Sequence, residues 1–135
     1  MTEPLVETIW DAVSERVGDE LRGVTRYNGL DFEMKLRADV RASYSNAEDR
    51  ELVDEAVLSQ LNLGGTEDAF KTGDLQSVIH IFEEAWILQW PDNLTTKSGI
   101  LISIQRDGTA ASMADIEWCI DYLSEDVSPQ IEDAQ

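Results

Sequence analysis

The stretch SVIHIFEEAWILQW, residues 77–90, decides the fold. It is the least polar run in a chain of 135 residues with formal net charge −18, and it holds the only histidine, His80, and two of the four tryptophans. A helix is arguable, because Leu75, Val78, Ile79, Phe82, Ala85, Trp86 and Gln89 fit a 3.6-residue period. Composition favours strands instead. Val78, Ile79, Ile81, Phe82, Trp86, Ile87 and Trp90 are β-branched or aromatic, and Glu83-Glu84 interrupts the run at its middle. The expectation is a hairpin. Val78, His80 and Phe82 then share one face and Ile79 and Ile81 the other, while Trp86, Leu88 and Trp90 share a face beyond the turn. Glu-Glu suits a type I′ turn poorly, so a bulge or wider loop is expected there.

Downstream, PDNLTTKSG reads as a loop and ILISIQ as an apolar, central strand over 100–105. RDGT breaks that strand, and a last helix is expected over 110–124 with Met113, Ile116, Ile120 and Leu123 inward. Residues 125–135 read as a polar, disordered tail. Upstream, Leu5, Ile9, Val13, Val17 and Leu21 recur every four residues and predict a helix over 4–21, with Thr2 as N-cap and Pro4 in its first turn. Asn28-Gly29 is the strongest hairpin signal in the chain. It separates strands expected at 22–28, where Val24 and Tyr27 are half-buried, and at 30–38, where Phe32, Met34 and Leu36 alternate with charged residues. Ser45 and Glu48 match a capping box. They open a helix striped by Leu52, Val53, Ala56, Val57 and Leu61 and ended by Gly64-Gly65. A single turn, TEDAFK, follows and stops at Gly73.

The order is helix, two strands, helix, three strands, helix: an α+β domain over 1–124, with a five-stranded antiparallel sheet covered by helices on both faces. In order and length, residues 4–124 resemble the roadblock/LC7 fold, a relative of profilin and longin folds. LRGVTRYNGLDFEMKLRADVRASYS, IHIFEEAWILQW and MADIEWCIDYL also resemble short acidic haloarchaeal proteins of unassigned function. The roadblock resemblance implies a homodimer seam at the third strand and second helix, and a small Ras-like GTPase as partner. The apolar run at 77–90 is then core on one face and near a subunit seam on the other; a doubly covered hairpin would read as continuous hydrophobe as well.

Composition bounds the setting. Twenty-eight Asp and Glu face ten Lys and Arg, only three of them lysines, and the acid occurs in every segment. Spread acid with few lysines points to an extreme halophile, where the Debye length is about 3 Å in molar salt and carboxylates keep the surface hydrated. An acidic mimic of nucleic acid would crowd its charge on one face. No Lys/Arg cluster is present to bind nucleic acid or anionic lipid. One cysteine, Cys119, allows no internal disulfide and no thiolate zinc cluster. The start MTEPLVETIWD lacks the basic and apolar regions of a signal peptide, and no run approaches the ~20 residues of a membrane span. The chain is therefore expected to be cytoplasmic, without direct membrane insertion.

No motif carries chemistry. His80 is the only histidine, but its neighbours on the strand face are Val78 and Phe82 and supply no partner group. Cys119 has Glu117 and Asp121 nearby rather than the positive charge a reactive thiol needs. DAVSERVGDE and EDRELVDEA lack calcium-loop spacing, and NLGGTEDAFKTG lacks a Walker lysine. No catalytic, metal or cofactor residue is assigned. Ile79, Ile81, Trp86, Trp118 and Tyr122 are the candidate interface residues, because aromatic and apolar anchors dominate binding surfaces. The expected function is a non-enzymatic regulatory or scaffolding module that binds another protein as a homodimer. The alternative is a small-molecule sensor with a pocket around His80, Tyr27 and Tyr44.

Overall fold

The computed structural model describes residues 4–29 and 31–133. A five-stranded antiparallel sheet, in the order β2-β1-β5-β4-β3, carries helices on both faces. Its strands are β1 (Leu21–Asn28), β2 (Asp31–Leu36), β3 (Val78–Ile81), β4 (Ala85–Pro91) and β5 (Ser98–Gln105). The helices are α1 (Leu5–Val17), α2 (Ala38–Ala42), α3 (Asn46–Leu61), α4 (Leu63–Phe70), α5 (Met113–Tyr122) and α6 (Ser128–Asp133).

The contested stretch is a hairpin. Ile81 pairs with Trp86 and Val78 with Gln89. Its turn is tighter than expected: only Glu83 and Glu84 stand between Phe82 and Ala85, whose N–H···O bond is 2.8 Å, and neither glutamate has a positive φ. β4 lies inside the sheet, between β3 and β5. Past Gln89 it has outrun β3, so Pro91 has no ladder bond to donate on that side and is tolerated.

Two cores lie on the two faces of the sheet. The larger joins Ile9, Val13 and Val17 of α1 to Trp86, Leu88 and Trp90 of β4, to Ile100, Ile102 and Ile104 of β5, and to Ile116, Cys119 and Leu123 at the end of the chain. The smaller joins Tyr27 and Leu101 to Val53 and Ala56 of α3. β1 therefore buries both faces, with Val24 in one core and Tyr27 in the other, rather than half-burying one.

Several boundaries are corrected. α1 stops at Val17 in a 3-10 turn, Gly18–Glu20, and Leu21 already belongs to β1; the expected cap Thr2 lies outside the described residues. Asn28 stays in the strand, its amide oxygen accepting from Ser98 Oγ at 2.7 Å, and Gly29 alone takes the left-handed conformation (φ +66°), with residue 30 outside the described residues. Gly64-Gly65 does not end a helix. α3 ends at Leu61, α4 runs through both glycines, and the left-handed cap is Lys71. Met113 is exposed at the first turn of α5. Residues 125–133 are not a frayed tail. A π-helical turn, Leu123–Val127, leads into α6, and Val127 and Ile131 are buried in the larger core. Acidic neighbours hid that pair from a reading of average polarity.

Candidate functional site

A mostly apolar concavity lies on the α3 face, where α3 covers β1 and β5 but leaves the β3 side of the sheet open. It is a cavity of about 400 Å³, within the ~300–1,000 Å³ range of small-molecule sites. Ile87, Leu101 and Met34 form its floor, Leu52 and Ala56 of α3 one wall, and His80 and Phe82 of β3 the other. Val40 and Tyr44, on α2 and just after it, close one end. The lining is thus mostly apolar, with Thr25, Gln89, Ser103 and Ser59 adding neutral polar groups and Asp49 and Glu55 adding carboxylates.

Arg22 stands at that same end, and a β-bulge puts it there. Leu21 pairs with Ile104 and Gly23 with Ser103, so β1 advances two residues while β5 advances one. Leu21 and Val24 both enter the larger core although they are three residues apart, which a regular strand forbids. The bulge absorbs the extra residue, and Arg22 and Gly23 both border the cavity. Arg22 Nε is buried and has no hydrogen-bond partner in the protein, the only such side-chain atom among the described residues. Leaving a buried donor unsatisfied costs roughly 1–3 kcal/mol.

Arg22 also borders a polar cleft on its outer side, lined by Asp39, Glu48, Glu84 and Asp107, of which all but Glu84 accept from another donor. Asp39 accepts from Arg37 at 2.6 and 3.0 Å, which holds its carboxyl below the usual range. Glu48 caps α3 by accepting from Ser45 N at 3.0 Å, which lowers it likewise. Asp107 accepts from Gln105 Nε2. On the cavity side, Asp49 is taken by Arg41 at 2.8 Å.

A buried polar network seats α3 on the sheet. Tyr27 donates to Gln60 Oε1, and Gln60 Nε2 donates to the carbonyls of Thr96 and Ser98, both at 2.9 Å. Gln89 Nε2 donates to Tyr27 Oη at 3.2 Å and to the Ala56 carbonyl at 2.8 Å. Burial pushes the Tyr27 hydroxyl up to about 12, against the lowering effect of the Gln89 bond. Of the three residues expected to surround a pocket, His80 and Tyr44 border the cavity, whereas Tyr27 lies beneath it, committed to the two glutamines. Gln60 and Gln89 went unflagged as site residues because a lone glutamine in a helix or strand gives no signal of which face it takes.

The interface candidates divide. Trp86 is buried in the larger core, where its ring is spent inside the domain, and Ile79 packs against the same core. Ile81 is 59% exposed and Phe82 54% exposed at the edge of the sheet; Phe82, with His80 stacked against it at 6.5 Å, is therefore not a core residue. Trp118 and Tyr122 are half-buried and stack at 5.2 Å, and the Arg16 guanidinium lies 5.1 Å above Trp118 while pairing with Asp115 at 2.8 Å. That aromatic pair thus already has a partner in α1. Cys119 is fully buried, and burial pushes its thiol up to about 12. Among the described residues, no three His, Cys, Asp or Glu side chains converge as a metal site. No described helix is long and apolar enough to cross a membrane.

Residues 7–127 match the family model described as a domain of unknown function, DUF7522. Among solved structures the chain is similar to MglC from Myxococcus xanthus, with a TM-score of 0.54 and 12% identity, over 94% of this chain and 99% of that one. At that identity the likeness carries the fold, which is roadblock-like. No curated protein matches the sequence.

Proposed function

From the premise that the chain belongs to the DUF7522 family, we propose that it is a non-enzymatic regulatory or scaffolding module that acts by binding another protein, as a homodimer in the cytoplasm of a high-salt cell. The observation that carries this reading is the edge strand β3. It presents one unpaired backbone edge together with the exposed side chains of Ile81 and Phe82, and an uncovered apolar edge invites pairing. The two groups with latent chemistry favour no reaction: His80 stacks on Phe82, and the Cys119 thiol is buried and held neutral. By the roadblock resemblance, the partner we propose is a small Ras-like GTPase.

Light scattering of the wild type tests the assembly. A dimer is expected in molar KCl at micromolar concentration, and a clean monomer of 15.2 kDa would remove it. The partner is tested by co-elution with Ras-like GTPases loaded with GDP or with a non-hydrolysable GTP analogue. Complex formation in one nucleotide state is expected; no complex in either state sinks the GTPase reading. The cavity favours a second reading, a small-molecule-sensing domain, since about 400 Å³ of mostly apolar space faces a sheet and a helix.

A further inference from the structure

We infer that the cavity between α3 and β3 takes a small amphiphilic anion, an apolar body with a single carboxylate-like head, and that Arg22 binds the head. The inference rests on the small-molecule reading and gives it a ligand class. Three independent features converge. The cavity is apolar and of ligand size. The β-bulge at Leu21–Gly23 releases Arg22 from the strand's alternation and puts it at the cavity's end. Arg22 Nε is buried there and unpartnered.

The acidity of the chain sharpens the argument. Every other described arginine has a protein acceptor: Arg16, Arg26, Arg37, Arg41 and Arg50 pair with aspartates, and Arg106 donates to the Phe82 carbonyl. Arg22 shares these linings with six carboxylates: Asp39, Glu48, Asp49 and Asp107 each have another donor, and Glu55 and Glu84 make no ion pair with Arg22. A guanidinium left over among so many carboxylates has its donors available for an incoming anion. Arginine suits that role because it presents a planar fork to a carboxylate. A cation would meet the Arg22 charge at that end of the cavity, and a neutral acceptor could satisfy Nε but would offer neither a negative charge nor the second oxygen that the guanidinium fork takes from a carboxylate. Long-range attraction cannot contribute, given the net charge of −18; recognition is by contact alone and therefore persists in high salt.

The test titrates the full chain in molar KCl with decanoate and with 1-decanol, following amide shifts of Gly23 and Ser103. Decanoate is expected to bind at least about tenfold more tightly than decanol. Arg22→Gln should abolish that preference and leave decanol binding unchanged, and Arg22→Lys should restore part of it. Ser103→Phe, which fills the floor, should abolish both. Equal binding of decanoate and decanol by the wild type overturns the role of Arg22 while the small-molecule reading survives. Binding of neither, by a wild type whose amide spectrum is that of a folded chain, overturns both. If Arg22→Gln fails to fold, the decanoate-to-decanol ratio of the wild type and of Arg22→Lys decides.

Discussion

Tyr27 shows how one side chain fixes the relation of a helix to a sheet. Its ring fills the smaller core, and its hydroxyl is shared between Gln60 of α3 and Gln89 of β4. Gly99, opposite Tyr27 in the register, is required by this packing: a Cβ there would lie 2.7 Å from Tyr27 Cζ and 2.9 Å from the Trp90 carbonyl oxygen. Tyr27→Phe keeps the ring and leaves Gln60 Oε1 without its donor. It should lower stability by about 1–3 kcal/mol, measured by urea denaturation. Burial raises both the Tyr27 hydroxyl and the Cys119 thiol in the fold, the latter from the ordinary 9.0 to about 12. A raised folded value means that the native state keeps a proton the unfolded chain gives up. The stabilisation is complete below pH 9 and is lost as pH rises from 9 towards 12. Unfolding free energy should therefore fall across that window, and Cys119→Ala should flatten its lower part. A profile that is flat from pH 9 to 11 in both proteins would contradict this. The native thiol should also resist alkylation at neutral pH, because it is buried and held neutral.

At the scale of elements, β3 and β4 were legible because strand chemistry is local: β-branched and aromatic residues crowd 78–90, and period two assigns Trp86, Leu88 and Trp90 to one face, as observed. The cavity was not legible, because its lining comes from all five strands and from α2 and α3, and only the fold brings them together. Nor was the bulge at Arg22, whose one local mark is Gly23, a glycine inside a strand, which by itself does not say which neighbour is the extra residue. The inward face of α3 misled for a related reason. Leu61 is apolar and belongs to the stripe expected to face the sheet, but the structure turns Gln60 to the sheet and leaves Leu61 exposed, since three loop and strand carbonyls need a donor there. The order lacks α2 and α6 and reduces α4 to the single turn TEDAFK, since the periodicity of such short helices is too brief to read. On β3 the alternation has a direct consequence. Ile79 and Ile81 point to the same face, yet Ile79 packs on the core and Ile81 lies largely in solvent. Ile81→Asp should keep the fold and abolish dimerisation in light scattering. Ile79→Asp should instead destabilise the domain by about 3 kcal/mol, as a buried unpaired charge does. Identical behaviour of the two variants would mean that the seam lies elsewhere.

The whole molecule is governed by its charge. Among the described residues six basic side chains are each tied to a carboxylate, so most of the described acidic residues have no ion-pair partner. The surplus is spread over both faces of the sheet: Asp11 and Glu15 on α1, Glu51 and Glu55 on α3, and Glu117 and Asp121 on α5 are all exposed. Such a distribution repels itself wherever screening is weak. At 0.1 M salt the Debye length is about 10 Å, long enough to couple charges along one helix; at 1 M it is about 3 Å, shorter than the spacing of neighbouring carboxylates. The thermal midpoint should therefore rise steeply between 0.1 and 1 M KCl and level off above it. Salt also strengthens apolar burial, and the two effects separate by mutation. Glu51→Gln with Glu55→Gln removes charge from α3 without touching the residues buried against the sheet. If repulsion sets the salt dependence, this variant should be more stable than the wild type in dilute buffer and converge with it in molar KCl. Parallel salt curves for the two proteins would assign the effect to apolar burial instead, and equal midpoints for the wild type in low and high salt would remove the case for a halophilic surface.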